Sequence, residues 1–261
     1  MVKLLLANGA DVLKTEQVVE KAVYHNYIES VPLLIEAGAP INGTPEKYYR
    51  PLTIAIRNNH PEIASLLLKL GADPNFPSGE GIPLKLAVTK PEIVKLLLAG
   101  GADPTKAEQV IEKAVYHNCI ESVPLLVEAG APINGTPEEY YHPLTTAIRD
   151  NHVPILKLLL SFGAEPDMAS GENLPIVMAA RQTDIERLSV LIEAGADVNK
   201  TFRGRSALMV ACELNLIENV KLLVQKGADV NAVDDHGNSV MDFAANSGND
   251  EIVMLLLDSM G

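Results

Sequence analysis

Two histidines recur in identical surroundings, and their neighbours could take part in acid–base chemistry. The string Glu-Lys-Ala-Val-Tyr-His-Asn spans residues 20–26 and returns 92 residues later, at residues 112–118. Each copy offers a tyrosine, a histidine and two charged groups, and histidine is the side chain that titrates nearest to neutral pH. Nucleophilic catalysis also requires a partner residue and an orienting group. No nearby serine, cysteine or carboxylate completes such a triad around His25 or His117.

Other residues that could do chemistry lack the necessary spacing. No pair of histidines has the H-x-x-x-H or H-E-x-x-H spacing of a local zinc site, and the six stand at positions 25, 60, 117, 142, 152 and 236. Cys119 occupies the position of Tyr27 in the other copy, so it is not a shared nucleophile. Gly79-Glu80-Gly81 lacks the Lys-Ser/Thr that follows a phosphate-binding loop. We therefore predict that the chain is not an enzyme and has no catalytic residue, metal or cofactor.

Duplication explains why the string occurs twice. Residues 2–75 align with residues 94–167 at a constant offset of 92, without gaps, and 55 of the 74 positions are identical. The tyrosine and histidine return because the whole block returns. The recurrence of the tyrosine and the histidine is therefore only weak evidence for catalysis.

Composition and charge narrow the classes of partner. The chain has 261 residues, no tryptophan, and 21 Lys+Arg against 34 Asp+Glu, for a net charge of -13. This surface repels phosphate backbones and anionic membranes, so we expect a protein partner, with a basic surface, and a monomeric chain. No apolar run approaches the roughly 18 residues that span a bilayer. Two cysteines without a paired spacing indicate a reducing compartment, and we predict a cytoplasmic location.

A repeat of about 32 residues organises the whole sequence. Gly-Ala pairs follow leucine-rich segments and begin at residues 9, 38, 71, 101, 130, 163, 195 and 227. In the unit ending at Gly71, residues 52–56 predict a short helix, Asn58–Pro61 a break, and residues 63–68 a second helix with i, i+3, i+4 apolar spacing. Gly71 is suited to the left-handed position that ends a helix. The predicted unit is therefore a helix, a turn, a second helix, a glycine stop and a loop.

This pattern resembles the ankyrin repeat. The closest matches to the family consensus are Asn59–Ile63, Pro91–Leu98, Gly195–Asn199 and Asp234–Gly237. The resemblance covers the whole chain and implies an all-α fold, an ankyrin-repeat solenoid of stacked helix-turn-helix units with short or missing β-hairpin fingers. We expect a single domain over residues 1–261, with block 2–75 duplicated as 94–167 and repeats ending near residues 10, 39, 72, 102, 131, 164, 196, 228 and 261.

Several departures from the consensus affect the expected structure. The Thr-Pro-Leu-His opening is eroded, as in Arg50–Thr53, so its usual hydrogen bonds to the next repeat must be replaced or lost. The glycine that normally ends the first helix is replaced by asparagine, which tolerates the left-handed conformation next best. The stretches 11–17 and 103–109 are too short for a full finger. The asparagine stops are at positions 26, 59, 118, 151 and 215.

The resemblance also implies where a partner would bind. In this family, partners contact the last turn of the first helices, on the concave side, and the finger tips. Carried over by position, the first-helix residues are Tyr24, His25, Arg57, Asn58, Tyr116, His117, Arg149 and Arg181. The finger residues are Tyr48, Tyr49, Tyr140, Tyr141, Phe202, Arg203 and Arg205. Tyrosine and arginine are enriched in binding hot spots, although a solvated face and local finger packing remain alternative interpretations.

Two other functional interpretations stay open. The chain begins inside a second helix, at residues 2–6, without a first helix to cover it. This suggests a fragment, in which the repeats are the targeting or substrate-recognition arm of a larger enzyme or a secreted effector; an effector would act in a host cytosol. Alternatively, Asn199 and Asn231 resemble ankyrin asparagines that are hydroxylated, although an ordinary turn asparagine is the favoured interpretation.

Overall fold

A computed structural model describes residues 2–12, 17–43, 50–135, 142–171 and 173–260. Within these ranges the chain forms two compact units, Met1–Pro132 and Ile133–Gly261, which we call unit 1 and unit 2. Tyr48, Tyr49, Tyr140 and Tyr141, four of the predicted binding residues, lie outside the described residues.

Unit 1 is built from helix pairs in which like helices stack on like. The first helices α2, α4, α6 and α8 contact one another in that order, and the second helices α5, α7 and α9 do the same. The helices are α1 (Val2–Ala7), α2 (Val18–Tyr24), α3 (Ser30–Glu36), α4 (Pro51–Arg57), α5 (Pro61–Lys69), α6 (Pro83–Leu86), α7 (Pro91–Ala99), α8 (Val110–Tyr116) and α9 (Ser122–Glu128).

Unit 2 repeats this arrangement. The first helices α10, α12, α14 and α16 stack in sequence, and the second helices pair as α11 with α13 and α15 with α17. They are α10 (Pro143–Arg149), α11 (Val153–Ser161), α12 (Pro175–Ala180), α13 (Glu186–Glu193), α14 (Ala207–Glu213), α15 (Ile217–Gln225), α16 (Val240–Ser247) and α17 (Asp250–Met260).

Left-handed residues end the helices where the sequence predicts. Gly71 has φ +98°, and the asparagine that replaces glycine after α4, Asn59, has φ +55°. The other predicted asparagine stops, Asn26, Asn118, Asn151 and Asn215, also have positive φ, between 54° and 59°. Asparagine therefore preserves the turn between the two helices of each repeat, as expected.

Aliphatic side chains and alanines fill the space between stacked repeats. In α5, Ile63, Ala64 and Leu67 are fully buried, and the next repeat buries Ile93, Val94 and Leu97 completely. These residues recur at i, i+1 and i+4, so one face of each second helix enters the core. No single repeat encloses such a face, and its burial comes from the neighbouring repeat.

The loops confirm short fingers. In the described ranges, β structure consists of four isolated bridges, at Ser78–Gly81, Ser170–Asn173, Phe202–Arg205 and Val233–Ser239. The short stretch before α8 forms a 3₁₀ turn over Pro104–Lys106 instead of a finger. The predicted all-α repeat class with reduced fingers is therefore confirmed.

Candidate functional site

The ends of the first helices of unit 1 expose aromatic and basic side chains. We call Tyr24, His25, Arg57 and Asn58 the row. Tyr24 ends α2 and is 62% exposed, and its ring meets His25 edge-on with 5.2 Å between centroids. His25 also stacks on Tyr27, with centroids 5.6 Å apart. All three residues are exposed, with Tyr27 at 59%. They form a continuous apolar and polar edge that a partner could cover.

The structure joins this cluster to the next repeat. The Asn58 side-chain amide donates to the Tyr24 carbonyl oxygen at 3.4 Å. Tyr24, Ile54, Arg57 and Asn58 line an open hollow of about 330 Å³. Two pairs of predicted binding residues, from successive repeats, therefore share one surface.

Arg57 connects the row to a finger. Its guanidinium forms an ion pair with the Glu80 carboxylate at 2.8 Å, and Glu80 lies in the turn bridged by Ser78 and Gly81. The contact spans 23 residues of chain and fixes the finger relative to the helix end. Exposed ion pairs of this kind contribute little to stability, roughly 0–1 kcal/mol. The pair orients Arg57 more than it stabilises the fold.

The duplicated copy preserves only part of the aromatic cluster. Tyr116 is 60% exposed and meets His117 edge-on at 5.1 Å, as in the first copy. Cys119 replaces Tyr27, so the stacked third ring is absent at this site. The two copies therefore present related but different surfaces.

The predicted residues of unit 2 are more engaged with their own unit. Arg149 makes two hydrogen bonds to the adjacent Asp150, at 2.8 and 2.9 Å. Arg205 forms an ion pair with Glu213, and its guanidinium lies 4.8 Å from the centre of the Phe243 ring. Arg205 therefore anchors its finger to α14 and α16.

The finger tip itself remains at the surface. Arg203 and Gly204 adopt left-handed conformations with φ +51° and +72°, between the bridged residues Phe202 and Arg205. The Arg203 guanidinium lies 5.4 Å from the centre of the Phe202 ring. Arg181, which follows α12, is exposed. The structure does not place Arg181 in contact with the finger.

Sequence reasoning missed the polar groups that connect successive repeats. Ser122, Arg187 and Asn219 each stand eight residues before a helix-stop glycine, where other repeats have a buried isoleucine such as Ile63. All three are buried. Each donates to a carbonyl oxygen of the preceding repeat, at or just beyond the end of its first helix: Ser122 to Val88, Arg187 to Ile148, and Asn219 to Ala180 and Gln182.

A histidine supplies the same link where isoleucine is kept. His60 Nδ1 lies 3.2 Å from the Val23 carbonyl oxygen, which can only accept, so Nδ1 donates. These bonds link successive repeats in a chain whose consensus tetrad is eroded. The polar residue in an otherwise apolar helix face was the signal in the sequence.

Asparagines in the loops form a second connection between repeats. The Asn199 side chain donates to the Gly227 carbonyl at 3.1 Å and accepts from the Asp229 backbone amide at 2.7 Å. Asn75 makes the equivalent pair with Gly101 and Asp103. This recurrence gives Asn199 a structural role in linking successive repeats.

Both cysteines of the chain are shielded from solvent, Cys212 fully and Cys119 in part. Among the described residues, no group of three His, Cys, Asp or Glu side chains could hold a metal ion. Burial raises the pKa of the Cys212 thiol to about 12 and also raises the pKa of Cys119. Both thiols are therefore poor nucleophiles at neutral pH. In the same part of the chain, no helix is both long and apolar enough to cross a bilayer.

Comparison with known proteins agrees with this architecture. A family model described as ankyrin repeats (3 copies) matches residues 1–78, 19–108, 84–170, 111–202 and 176–261. The crystal structure of the ankyrin repeat domain of Bcl-3, described as a unique member of the IkappaB protein family, is similar, with 25% sequence identity and a TM-score of 0.73. The match covers 82% of this chain and 100% of that chain. No curated protein sequence matches the chain.

Proposed function

The chain belongs to the ankyrin-repeat family, and from this we propose that it is a non-catalytic scaffold that binds a partner protein through its first-helix ends and finger loops. The observation that carries the proposal is the exposed row of Tyr24, His25, Arg57 and Asn58, in which two repeats contribute to one surface. Tyrosine and arginine provide large contact areas and are frequent in binding hot spots.

Rigidity supports the same conclusion. The row lies at helix ends that are linked to the neighbouring repeat by part-buried hydrogen bonds, such as the one from His60 to Val23. A partner that binds such a surface loses little free energy to ordering it. We include Tyr116 and His117 of unit 1 in the proposed binding residues and, from their positions in the sequence alone, the finger tyrosines Tyr48, Tyr49, Tyr140 and Tyr141. In unit 2 we propose a separate contact at the finger tip, Phe202 and Arg203.

Charge suggests the class of partner. The net charge of -13 disfavours nucleic acid and favours a partner with a basic surface. We further propose a monomer that works in a reducing, cytoplasmic compartment. A second candidate function, recognition on behalf of a larger enzyme or effector, uses the same surface and differs in what is attached to it.

The decisive experiment compares two sets of alanine variants in the full chain. Affinity capture from lysates identifies partners by mass spectrometry, and their binding is then measured with Tyr24→Ala/Arg57→Ala/Asn58→Ala. We expect a loss of about tenfold or more in affinity, since each hot-spot side chain contributes about 1 kcal/mol or more.

The matched control is Glu62→Ala/Lys69→Ala/Lys95→Ala, which changes exposed residues of the second helices α5 and α7. It should leave both affinity and the circular dichroism spectrum unchanged. Equal losses in the two sets, or none in the first, would contradict binding through the row.

A further inference from the structure

Acidic charge is distributed unevenly between the two units. Residues 1–132 contain 12 Lys+Arg and 15 Asp+Glu, a net charge of -3, whereas residues 133–261 contain 9 and 19, a net charge of -10. The strong acidity of the chain is therefore mainly a property of unit 2. Salt screens charges beyond about 8 Å at physiological ionic strength, so the local charges of unit 1 decide what can contact it.

Three lysines lie close together on the first-helix side of unit 1. Lys85 is in α6, Lys90 precedes α7, and Lys113 is in α8, which contacts α6. The Lys85 ammonium donates to the Gln109 side-chain oxygen at 3.5 Å, and Gln109 stands one turn before Lys113. We call Lys85, Lys90 and Lys113 the lysine patch.

The ammonium group of Lys113 is half-buried and lies near two other positive charges. Burial lowers the pKa of Lys113, and the positive charges of Lys85 and Lys90 lower it further. Glu80 opposes this effect, but its carboxylate is held by Arg57 at 2.8 Å. The charge of Lys113 is thus destabilised by its own surroundings.

Among the described residues, no carboxylate is a close counter-ion of the patch. In the part of the chain that the structure describes, none of the three ammonium groups lies within 4.0 Å of a carboxylate. This is notable in a chain with 34 acidic residues. A ligand that supplied carboxylates here would relieve the repulsion among the lysines.

An exposed aromatic ring borders the patch. Tyr116 follows Lys113 by three residues on α8, so the two side chains lie on the same helix face. Tyr116 is 60% exposed, and the other predicted row residues of this copy, beginning with His117, continue from it. Positive charge beside an open tyrosine suits a segment that carries both carboxylates and apolar side chains.

We propose that unit 1 binds an acidic peptide segment of a partner protein across the lysine patch and Tyr116, an inference that rests on the scaffold function proposed above. Carboxylates of the segment pair with Lys85, Lys90 and Lys113, and an apolar side chain covers the Tyr116 ring. Nucleic acid also carries negative charge, but domains that bind it are basic as a whole, whereas residues 1–132 have a net charge of -3. The basic partner surface inferred from the net charge then applies to unit 2.

The test uses the full chain and a fluorescein-labelled dodecapeptide of repeating Glu-Leu-Gly. Fluorescence polarisation measures its affinity, and ¹H–¹⁵N spectra locate it. We expect amide shifts at residues 85–90 and 113–117. The charge-reversed variant Lys85→Glu/Lys90→Glu/Lys113→Glu should lose at least about tenfold in affinity, since close charge pairs at an interface contribute more than 1 kcal/mol.

The control variant Lys69→Glu/Lys95→Glu/Lys106→Glu changes the net charge equally at residues outside the patch. It should retain affinity within about twofold, because screened charges contribute little at a distance. Equal weakening of both variants, no binding of the peptide, or tighter binding of labelled oligothymidylate at the patch would overturn the proposal. Those results leave the scaffold function standing if the partner captured through Tyr24, Arg57 and Asn58 still binds.

Discussion

The Ser122 hydroxyl donates a hydrogen bond of 2.7 Å to the Val88 carbonyl oxygen, and both residues are buried. Ser122 begins α9, and Val88 lies two residues beyond the end of α6, the first helix of the preceding repeat. A buried carbonyl that loses its donor keeps the full penalty of desolvation. The bond therefore contributes to holding these two repeats together.

The duplicated block offers a matched test of that bond. Ser122→Ala should lower the free energy of unfolding by about 1–3 kcal/mol, because the Val88 carbonyl remains buried without its partner. Ser30 is the equivalent residue in the first copy; it is half-buried, and no group in the described chain accepts from its hydroxyl. Ser30→Ala should change stability by less than about 0.5 kcal/mol, as is usual for substitutions outside such networks. Urea unfolding measures the free energy of unfolding of both variants. Similar losses of stability would show that the bond from Ser122 to Val88 does not cause the difference.

A second pair of equivalent residues, both leucines, tests how neighbouring repeats share their core. Leu5 and Leu97 are equivalent in the two copies, since each stands four residues before a helix-stop glycine. Leu97 is fully buried, whereas Leu5 is 54% exposed. Leu97→Ala should cost about 2–5 kcal/mol, and Leu5→Ala should cost less than about 1 kcal/mol, because only the first opens a cavity. Thermal unfolding compares them directly. A comparable loss from Leu5→Ala would mean that Leu5 is covered in solution.

The periodic features of this fold could be predicted from the sequence, because they are set by local chemistry. The helix pairs, the glycine stops and the left-handed conformation of Asn59 each depend on a few neighbouring residues, and the structure confirms these predictions. The link between Tyr24 and Asn58, 34 residues apart, and the link between Lys85 and Gln109, 24 apart, depend instead on how successive repeats align. That alignment is set by buried groups such as Arg187, which the family pattern assigns to an apolar side chain.

Backbone conformation at the asparagine stops leads to a third prediction. Asn59 has φ +55°, a region in which a residue with an ordinary Cβ is strained. Asn59→Ala should destabilise the chain by about 1 kcal/mol, and Asn59→Gly should be neutral or slightly stabilising. The neighbouring Asn58 has φ -78°, so Asn58→Ala serves as a control without strain. Chemical denaturation measures all three, and equal effects of alanine and glycine at position 59 would contradict the conformational explanation.

The buried thiol of Cys212 predicts both reactivity and a pH dependence. Because its pKa in the folded chain is raised to about 12, iodoacetamide at pH 8 should modify Cys119 first and Cys212 only after denaturation. In the unfolded chain a thiol titrates near 8.5, so below that pH both states hold the proton and stability is unaffected. Between pH 9 and about 12 only the unfolded thiol loses its proton, and this favours unfolding by up to about 1.4 kcal/mol per pH unit.

Other groups titrate in the same window, so the measurement is a difference between two proteins. The free energy of unfolding of the native chain should fall more steeply above pH 9 than that of Cys212→Ala, in which this thiol is absent. Cys119→Ala controls for the other cysteine, which is only partly buried. Since its thiol is already accessible to solvent, its removal should alter the slope less. Parallel pH profiles for the native chain and Cys212→Ala would show that Cys212 ionises in the folded state as readily as in the unfolded one.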